Sequence, residues 1–452
     1  VIQYETDDQM KLPKTGESRE EILKQLQKLH DQDTAWHEGK TWSLVYHAGD
    51  EHTDFLKKAY SIYFHQNALN PGAFPSLQKY EAEILSMTSD LFHGGSEAAG
   101  TMTSGGSESI MMAVKTTRDW MKAMKPSVTE PEMIVPVSIH PAFDKAAQYF
   151  QVKMIKAPLT ADFRVDVEAV KKLINANTIL IVGSAPQYPQ GVIDPIRELA
   201  TLAKERGIAM HVDACLGGFI LPFMKKLGYP IQDFDFAVDG VTSISADIHK
   251  YGFAAKGASI VMYRNKEIRR HQFFVSTDWP GGAFASPSMT GTRPAGSIAA
   301  AWGTLKSFGE EGYLKMVREI MANVDKLKTG IEALGLKIVG QPESAIFAFT
   351  ADDGVLDIYA VADQMQRKGW FIDRQQTPTC LHLMVTPAHT PVIPQFLSDL
   401  KEAIDTVKSH PELSTQGMAA MYGMMAKVPD PKMIHRFLYQ YMDDRYSVKD
   451  AE

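Results

Sequence analysis

Two cysteines in 452 residues, Cys215 and Cys380, are too few to staple a fold, and this excludes the disulfide-framework scaffolds. An excess of basic charge is missing as well. Lys and Arg number 47 against 54 Asp and Glu, a formal net charge of −7, so no nucleic-acid partner is expected. No apolar run approaches the ~18 to 20 residues that a membrane-crossing helix needs, and no transmembrane segment is expected. The longest runs, such as TILIVGSA from Thr178, have the length of a buried strand. Internal repeats and low-complexity tracts are also lacking, which sets aside repeat arrays and disordered chains. What remains is of ordinary globular composition, 44% hydrophobic and 22% charged, and long enough for two domains around a large core. The 23 methionines, which a reducing compartment keeps unoxidised, join the scarcity of cysteine in pointing to the cytoplasm. The chain begins at Val1, so a leader or anchor before it stays open.

Ser18 and Glu21 have capping-box spacing ahead of Ile22, Leu23, Leu26 and Leu29 at helical intervals, and residues 1–75 read as an N-terminal helical arm. From about Ser76 helices alternate with short β-branched runs: EMIVPV (132–137), VKMIKAP in the 151–157 region, TILIVG (178–183), IAMHVD (208–213) and SIVMY (259–263). Such alternation predicts an α/β fold whose large domain, over 76–310, is a parallel-rich sheet covered by helices. A long helix after Gly312, ending at Gly335, should lead into a smaller C-terminal α+β domain over 311–452. Its strands are expected at LKIV (336–339), AIFAF (345–349) and LHLMV (381–385), with helices near 355–368 and 394–408. The apolar, Gly-flanked stretch GMAAMYGMM (417–425) suits burial or a substrate wall.

The chemistry gathers in four places. In SADIHKYG, Lys250 follows the β-like VTSIS (241–245) and so ends near a strand's carboxyl edge. A Schiff-base lysine needs an unprotonated amine, which calls for desolvation or neighbouring positive charge, and His249 supplies a second donor. A lone His-Lys pair is more often a surface feature, but this one has company. Asp213 closes IAMHVD, at the edge where open α/β sheets bind ligands, and an aspartate there can keep a pyridine nitrogen protonated, although helix capping is the commoner use. TSGGSESI (103–110) is a Gly-rich turn opening a helix, whose amides and Ser107 hydroxyl make an anion site. His140, after EMIVPV, can stack on a flat ring or serve as general acid or base, where a solitary histidine would more often cap a helix. Together they imply pyridoxal 5′-phosphate (PLP), with no metal.

At these residues the chain resembles the sphingosine-1-phosphate lyases, within the group II PLP-dependent decarboxylase-like family. The stretches that carry the likeness are TSGGSES, HVDACLGGF, VTSISADIHKYG, QFFVSTDWPGG, ASPSMTGTRPAG and GMAAMYGM, and it runs from about Thr41 to Tyr422. HVDA and HK are shared across the wider superfamily; the longer runs point to the lyases. The resemblance implies PLP-transferase fold type I, like aspartate aminotransferase. It implies that Lys250 binds the cofactor covalently, Asp213 meets the pyridinium, His140 stacks on the ring and Cys215 lies on the opposite face. Gly106, Ser107 and His249 would hold the cofactor phosphate. Gly291 and Thr292 would reach the partner subunit's cofactor in a homodimer with composite sites. For the substrate phosphate the matching positions are Tyr46, Asn67, Asn70, Lys256 and Tyr422, a permanent cation among neutral donors. The sequence departs from the pattern at Asn70, usually histidine, and at Phe284, usually tyrosine, which removes a chargeable group and a hydroxyl and bears on substrate preference.

The activity so implied is a PLP-dependent carbon–carbon (aldehyde) lyase: retro-aldol cleavage of sphingosine 1-phosphate, or a related phosphorylated long-chain base, to a fatty aldehyde and phosphoethanolamine. Two other readings stand beside it. An amino-acid decarboxylase would use the same lysine, aspartate and histidine with a carboxylate pocket. A non-catalytic PLP-fold binding protein is opposed by the intact Lys250 and Asp213.

Overall fold

Short runs that are apolar at every position have no wet face, so they settle in a sheet covered on both sides. The computed structural model describes residues 12–70, 72–351, 355–425 and 431–447. Among these, seven runs form one sheet: β1 (Ala99–Thr103), β2 (Glu132–Pro136), β3 (Lys153–Ala157), β4 (Thr178–Ser184), β5 (Ala209–Asp213), β6 (Ser243–Asp247) and β7 (Ser259–Tyr263). Their order is β1-β7-β6-β5-β4-β2-β3. Met133 and Val135 face a core shared with the helices Gly106–Met124 and Ala142–Phe150, while Ile134 between them faces the core of the helix Ile196–Glu205. This is the two-residue period of a strand with helices on both faces. The edge strand β3 carries exposed Lys153 and Lys156, a charge pattern that discourages pairing with another chain.

The strands β2 to β6 run parallel. SIVMY, expected among them, is reversed against β6, and β1 is reversed against it in turn. The cause is the length of the link: residues 248–258 are too few for the crossover of a dozen or more that a parallel return requires. The chain therefore turns straight back at the sheet's edge, and Lys250 sits in that turn.

After the hairpin β8 (Phe274–Ser276) and β9 (Phe284–Ser286), the connecting helix starts at Ala295, well before the expected Gly312. Its alanine-rich opening favours helix, and the break falls instead at Gly309, in the left-handed region at φ 54°. The helix ends at Ala333, with Gly335 left-handed beyond it. The smaller C-terminal domain holds an antiparallel sheet, β10 (Leu336–Ile338), β11 (Ile346–Ala351), β12 (Asp373–Gln376) and β13 (Thr379–Met384), in the order β10-β11-β13-β12. Only β12 was not anticipated, because DRQQ carries no apolar residue.

At the N-terminus, Ser18 Oγ accepts from the Glu21 amide and caps the helix Arg19–His30, which buries none of its residues. The segment beyond Gly39 is held by the small domain. Trp42 donates its amide to the Phe371 carbonyl, accepts from Met384, and stacks on His389 with ring centroids 4.1 Å apart. That grip delivers Tyr46 to the carboxyl edge of the large sheet.

Candidate active site

The last residues of three parallel strands, Ser184, Asp213 and Asp247, open onto one cavity of about 520 Å³, completed by the start of the helix Gly106–Met124. Both its size and its place at the carboxyl edge are those of a ligand site in an open α/β sheet. Of the residues expected from sequence, it is lined by Tyr46, Gly106, Ser107, His140, Asp213, Cys215, His249, Lys250 and Lys256.

Asp213 is buried, and its Oδ1 accepts the Cys215 amide at 3.1 Å and the Ser245 hydroxyl at 3.4 Å. Below it, His211 lies between the hydroxyls of Ser243 and Ser245, and burial pushes its pKa down to about 4. The histidine is therefore neutral, and no cation from the floor competes for the aspartate's charge. Cys215 has its thiol 3.4 Å from Ser245 Oγ, and burial raises its pKa well above the ordinary thiol value.

Lys250 has the surroundings expected of it only in part. It is desolvated and shares the cavity with Lys256, as expected, but its Nζ is also 2.9 Å from Asp247 Oδ2, a carboxylate that holds its proton in place. Burial works against the ammonium, yet unit charges about 3 Å apart attract by on the order of 5 kcal/mol at an effective dielectric of ~20. The carboxylate prevails, and the amine's pKa is raised. Asp247 is itself buried, but Lys250, His249 and the Ser259 hydroxyl hold its pKa below the usual value. His249 Nδ1 accepts the Ala258 amide at 3.2 Å, which leaves the proton on Nε2; burial takes its pKa to about 4, so it is a neutral donor.

The cradle is shaped by glycine. A Cβ on Gly106 would lie 2.7 Å from Asp247 Oδ2 and 3.0 Å from Cys215 Sγ, so no larger residue fits. The first-turn amides there lack helical partners and carry the positive end of the helix dipole. The buried Glu108 braces this turn: Oε2 accepts both the amide and the hydroxyl of Ser104 at 2.7 Å, and Oε1 accepts the Met289 amide at 2.9 Å. His140 lines the cavity, and its Nδ1 accepts the Ala142 amide at 3.1 Å. Amides, hydroxyl and neutral imidazole for a phosphate, a carboxylate for a pyridine nitrogen, and a lysine between them form a donor set that fits PLP.

The five residues matched to a substrate phosphate do not stay together within one chain. Tyr46 and Lys256 line the cavity, with Lys256 Nζ 5.0 Å over the Tyr46 ring and donating to the Leu44 carbonyl at 2.9 Å. Although Lys256 is exposed at the cavity mouth, crowding by the surrounding protein, then the charge of Lys250, lowers its pKa to about 8. Asn67, Asn70 and Tyr422 lie outside the lining. Asn67 bonds Thr292 Oγ1 at 3.3 Å and accepts the amides of Leu69 and Arg293, so it fastens the 291–293 turn. Asn70 accepts the Gly72 amide, and Tyr422 packs on Tyr359. Gly291 and Thr292 are exposed and also outside, and Phe284 sits near Phe274 and Trp279 of the hairpin. Sequence reasoning missed Asp247, Glu108, Ser184 and Tyr188. The first two stood inside quoted motifs, and Ser184 ends a strand that had been recognised.

Residues 3–351 match the family described as the pyridoxal-dependent decarboxylase conserved domain. A sphingosine-1-phosphate lyase of Oryza sativa subsp. japonica is 46% identical over 441 residues, which are 96% of this chain and 81% of that relative. A solved sphingosine-1-phosphate lyase of Burkholderia pseudomallei superposes with a TM-score of 0.89 at 37% identity, over 98% of this chain and 99% of that one. A Lactobacillus brevis glutamate decarboxylase shares the fold, with a TM-score of 0.78 at 20% identity over 88% and 94% of the two chains. On the extent of the first three matches, the chain belongs to the pyridoxal-dependent decarboxylase family and, within it, to the sphingosine-1-phosphate lyases.

Proposed function

We propose that the protein is a PLP-dependent aldehyde-lyase that cleaves sphingosine 1-phosphate, or a closely related phosphorylated long-chain base, to a fatty aldehyde and phosphoethanolamine. One observation carries the substrate assignment: Lys256 and Tyr46 stand in the same cavity as Lys250 and Asp213. An amine end and a phosphate end thus have separate partners in one space. The lyase relatives favour this reading over decarboxylation.

Lys250 would hold the cofactor, His140 would cover its ring, and Gly106, Ser107 and His249 would take its phosphate. Bound there, PLP supplies an electron sink for the carbanion left at C2 when the C2–C3 bond breaks. Asp213 keeps the proton on the pyridine nitrogen, and its negative charge is worth most in a site from which water is excluded. Lys256 and Tyr46 grip the substrate phosphate, a charge-assisted hydrogen bond contributing roughly 1.5 to 3 kcal/mol. Lys250, once free of the cofactor, would be the group to return a proton to C2.

The active unit is a homodimer with composite sites. Gly291 and Thr292, outside their own cavity and exposed, are offered to a second chain, and Asn67 is fastened to them. Exposed Leu23, Leu26, Phe274, Val275 and Trp279 give that chain apolar surface to cover. The division into an arm to 75, a large domain over 76–310 and a small domain over 311–452 is supported by the break at Gly309. No described helix is long and apolar enough to cross a membrane. A cytoplasmic location is supported by Cys215 and Cys380, both buried and unbridged.

The direct test incubates purified protein, supplied with PLP, with sphingosine 1-phosphate and assays fatty aldehyde and phosphoethanolamine. Release of carbon dioxide from an amino acid, with no aldehyde from the phosphorylated base, overturns the assignment in favour of the decarboxylase.

A further inference from the structure

Asp247 is a buried carboxylate that the reaction described above does not use. It is 1% exposed, and its two oxygens differ. Oδ1 accepts the Ser259 hydroxyl at 2.5 Å. Oδ2 has no hydrogen-bonding hydroxyl or amide among the described residues; it faces Lys250 Nζ at 2.9 Å, with His249 Nε2 at 3.7 Å. Behind Ser259 the hydroxyls continue: Ser259 Oγ to Ser109 Oγ is 2.7 Å, Ser109 Oγ to Thr103 Oγ1 is 2.6 Å, and Thr103 reaches the Gly105 carbonyl at 3.3 Å. Asp247, Ser259, Ser109 and Thr103 are all buried. The chain thus runs from the phosphate-cradling turn to the lysine's counter-ion, and each hydroxyl in it can rotate to donate in either direction.

The geometry points to Asp247 as the proton acceptor that prepares Lys250 for covalent capture of its aldehyde cofactor, with Ser259, Ser109 and Thr103 as the polar backing that lets a buried carboxylate change its charge. Before capture the amine is held as an ammonium. Asp247 Oδ2 takes one proton from Nζ, and the freed lone pair adds to the aldehyde carbon. A proton on the nitrogen moves to the former carbonyl oxygen. Asp247 then gives its proton to that oxygen, which leaves as water. A C=N bond that keeps one proton replaces C=O, Asp247 ends ionised, and no outside acid or base is consumed. The proposal rests on the assignment of Lys250 as the cofactor lysine. Other groups around Nζ are Asp213, Cys215, Tyr188, His249, Tyr251 and Lys256. Of these only Asp213 is a second carboxylate, and it is the necessary control.

The test uses the full chain freed of cofactor. Lys250 acylation by acetic anhydride is followed by mass spectrometry against pH, and uptake of PLP is followed by absorbance. In unmodified protein the acylation midpoint should lie above the 10.5 of an ordinary lysine. A midpoint below it overturns the proposal without any variant, even if Asp247→Asn fails to fold. In Asp247→Asn the midpoint should fall by a pH unit or more, and further than in Asp213→Asn. Uptake by the unmodified chain should be nearly flat between pH 7 and 9, because the proton stays inside the pair. In Asp247→Asn uptake should climb with pH by up to about tenfold per unit, following the free-amine fraction. A steep profile in both proteins, or an equal effect of Asp213→Asn, refutes the role of Asp247. Failure of Lys250 to take up PLP at any pH would instead strike at the cofactor assignment.

Discussion

Tyr188, on the loop after β4, donates its hydroxyl to Asp373 Oδ2 of β12 at 2.7 Å, so a wall residue of the cavity is fixed by the small domain. The Tyr188 ring also stacks on His382, with centroids 4.2 Å apart. Burial, with the Asp373 charge, raises the phenol's pKa, so it remains a protonated donor. Asp373→Asn keeps an acceptor and should be close to neutral, whereas Asp373→Leu should cost about 1 kcal/mol in stability. Urea melts of the two variants decide it; equal losses would mean that the bond contributes nothing of its own.

Lys256 gives the pH dependence its sign. Its pKa is lowered to about 8, so the ammonium is present below that pH and lost above it. A bound phosphate dianion draws the proton back, and binding above pH 8 must therefore take one up. The KM for sphingosine 1-phosphate should rise by up to about tenfold per pH unit above about 8, while that for the dephosphorylated base stays level. Lys256→Met should abolish this difference in pH dependence between the two substrates. A pH-independent preference for the phosphate removes Lys256 from its proposed place.

On the proposed role of Asp213, Asp213→Ala deletes the charge that would hold the pyridine proton, and no cation below it adjusts, since His211 is neutral. Turnover should fall by about 10²-fold or more while PLP still binds. Cofactor content and kcat are measured on the same preparation, and near-normal kcat would falsify the assignment.

The proposed composite sites are open to a complementation experiment. Lys250→Ala chains and chains carrying Gly291→Val with Thr292→Ala should each be inactive. After subunit exchange in equal amounts, about a quarter of normal activity should return, because half the dimers are hybrids with one intact site of two. No recovery despite proven exchange places the 291–292 turn outside the partner's chemistry.

That Lys250 and Asp213 would meet in one cavity was legible in the sequence because each stands in a short motif near a strand end. The central parallel strands β4 and β5 were legible because two-sided burial writes itself as nearly unbroken apolar runs, whereas the edge strand β3 alternates with lysine. The reversal of β7 was written in a link too short to cross over. What could not be read were relationships without a period: Tyr188 and Asp373 are 185 residues apart, and neither the polar β12 nor the glycine-containing β1 carries an apolar signature. The hold of Asp247 on Lys250 is local, three residues along the chain, yet it depends on how a turn folds back rather than on spacing. The family pattern likewise gathered Asn67, Asn70 and Tyr422 at one phosphate, and in a single chain they lie outside the cavity.

Glu108 spans two such distant pieces, binding Ser104 in the cradle with one oxygen and Met289, near the exposed 291–292 turn, with the other. Since a carboxylate cannot release one partner without leaving the other tied to a displaced group, the two stretches should open together. In hydrogen–deuterium exchange the amides of Ser104 and Met289 would then share one opening rate, and filling the cradle would slow exchange in the exposed 289–292 loop as well.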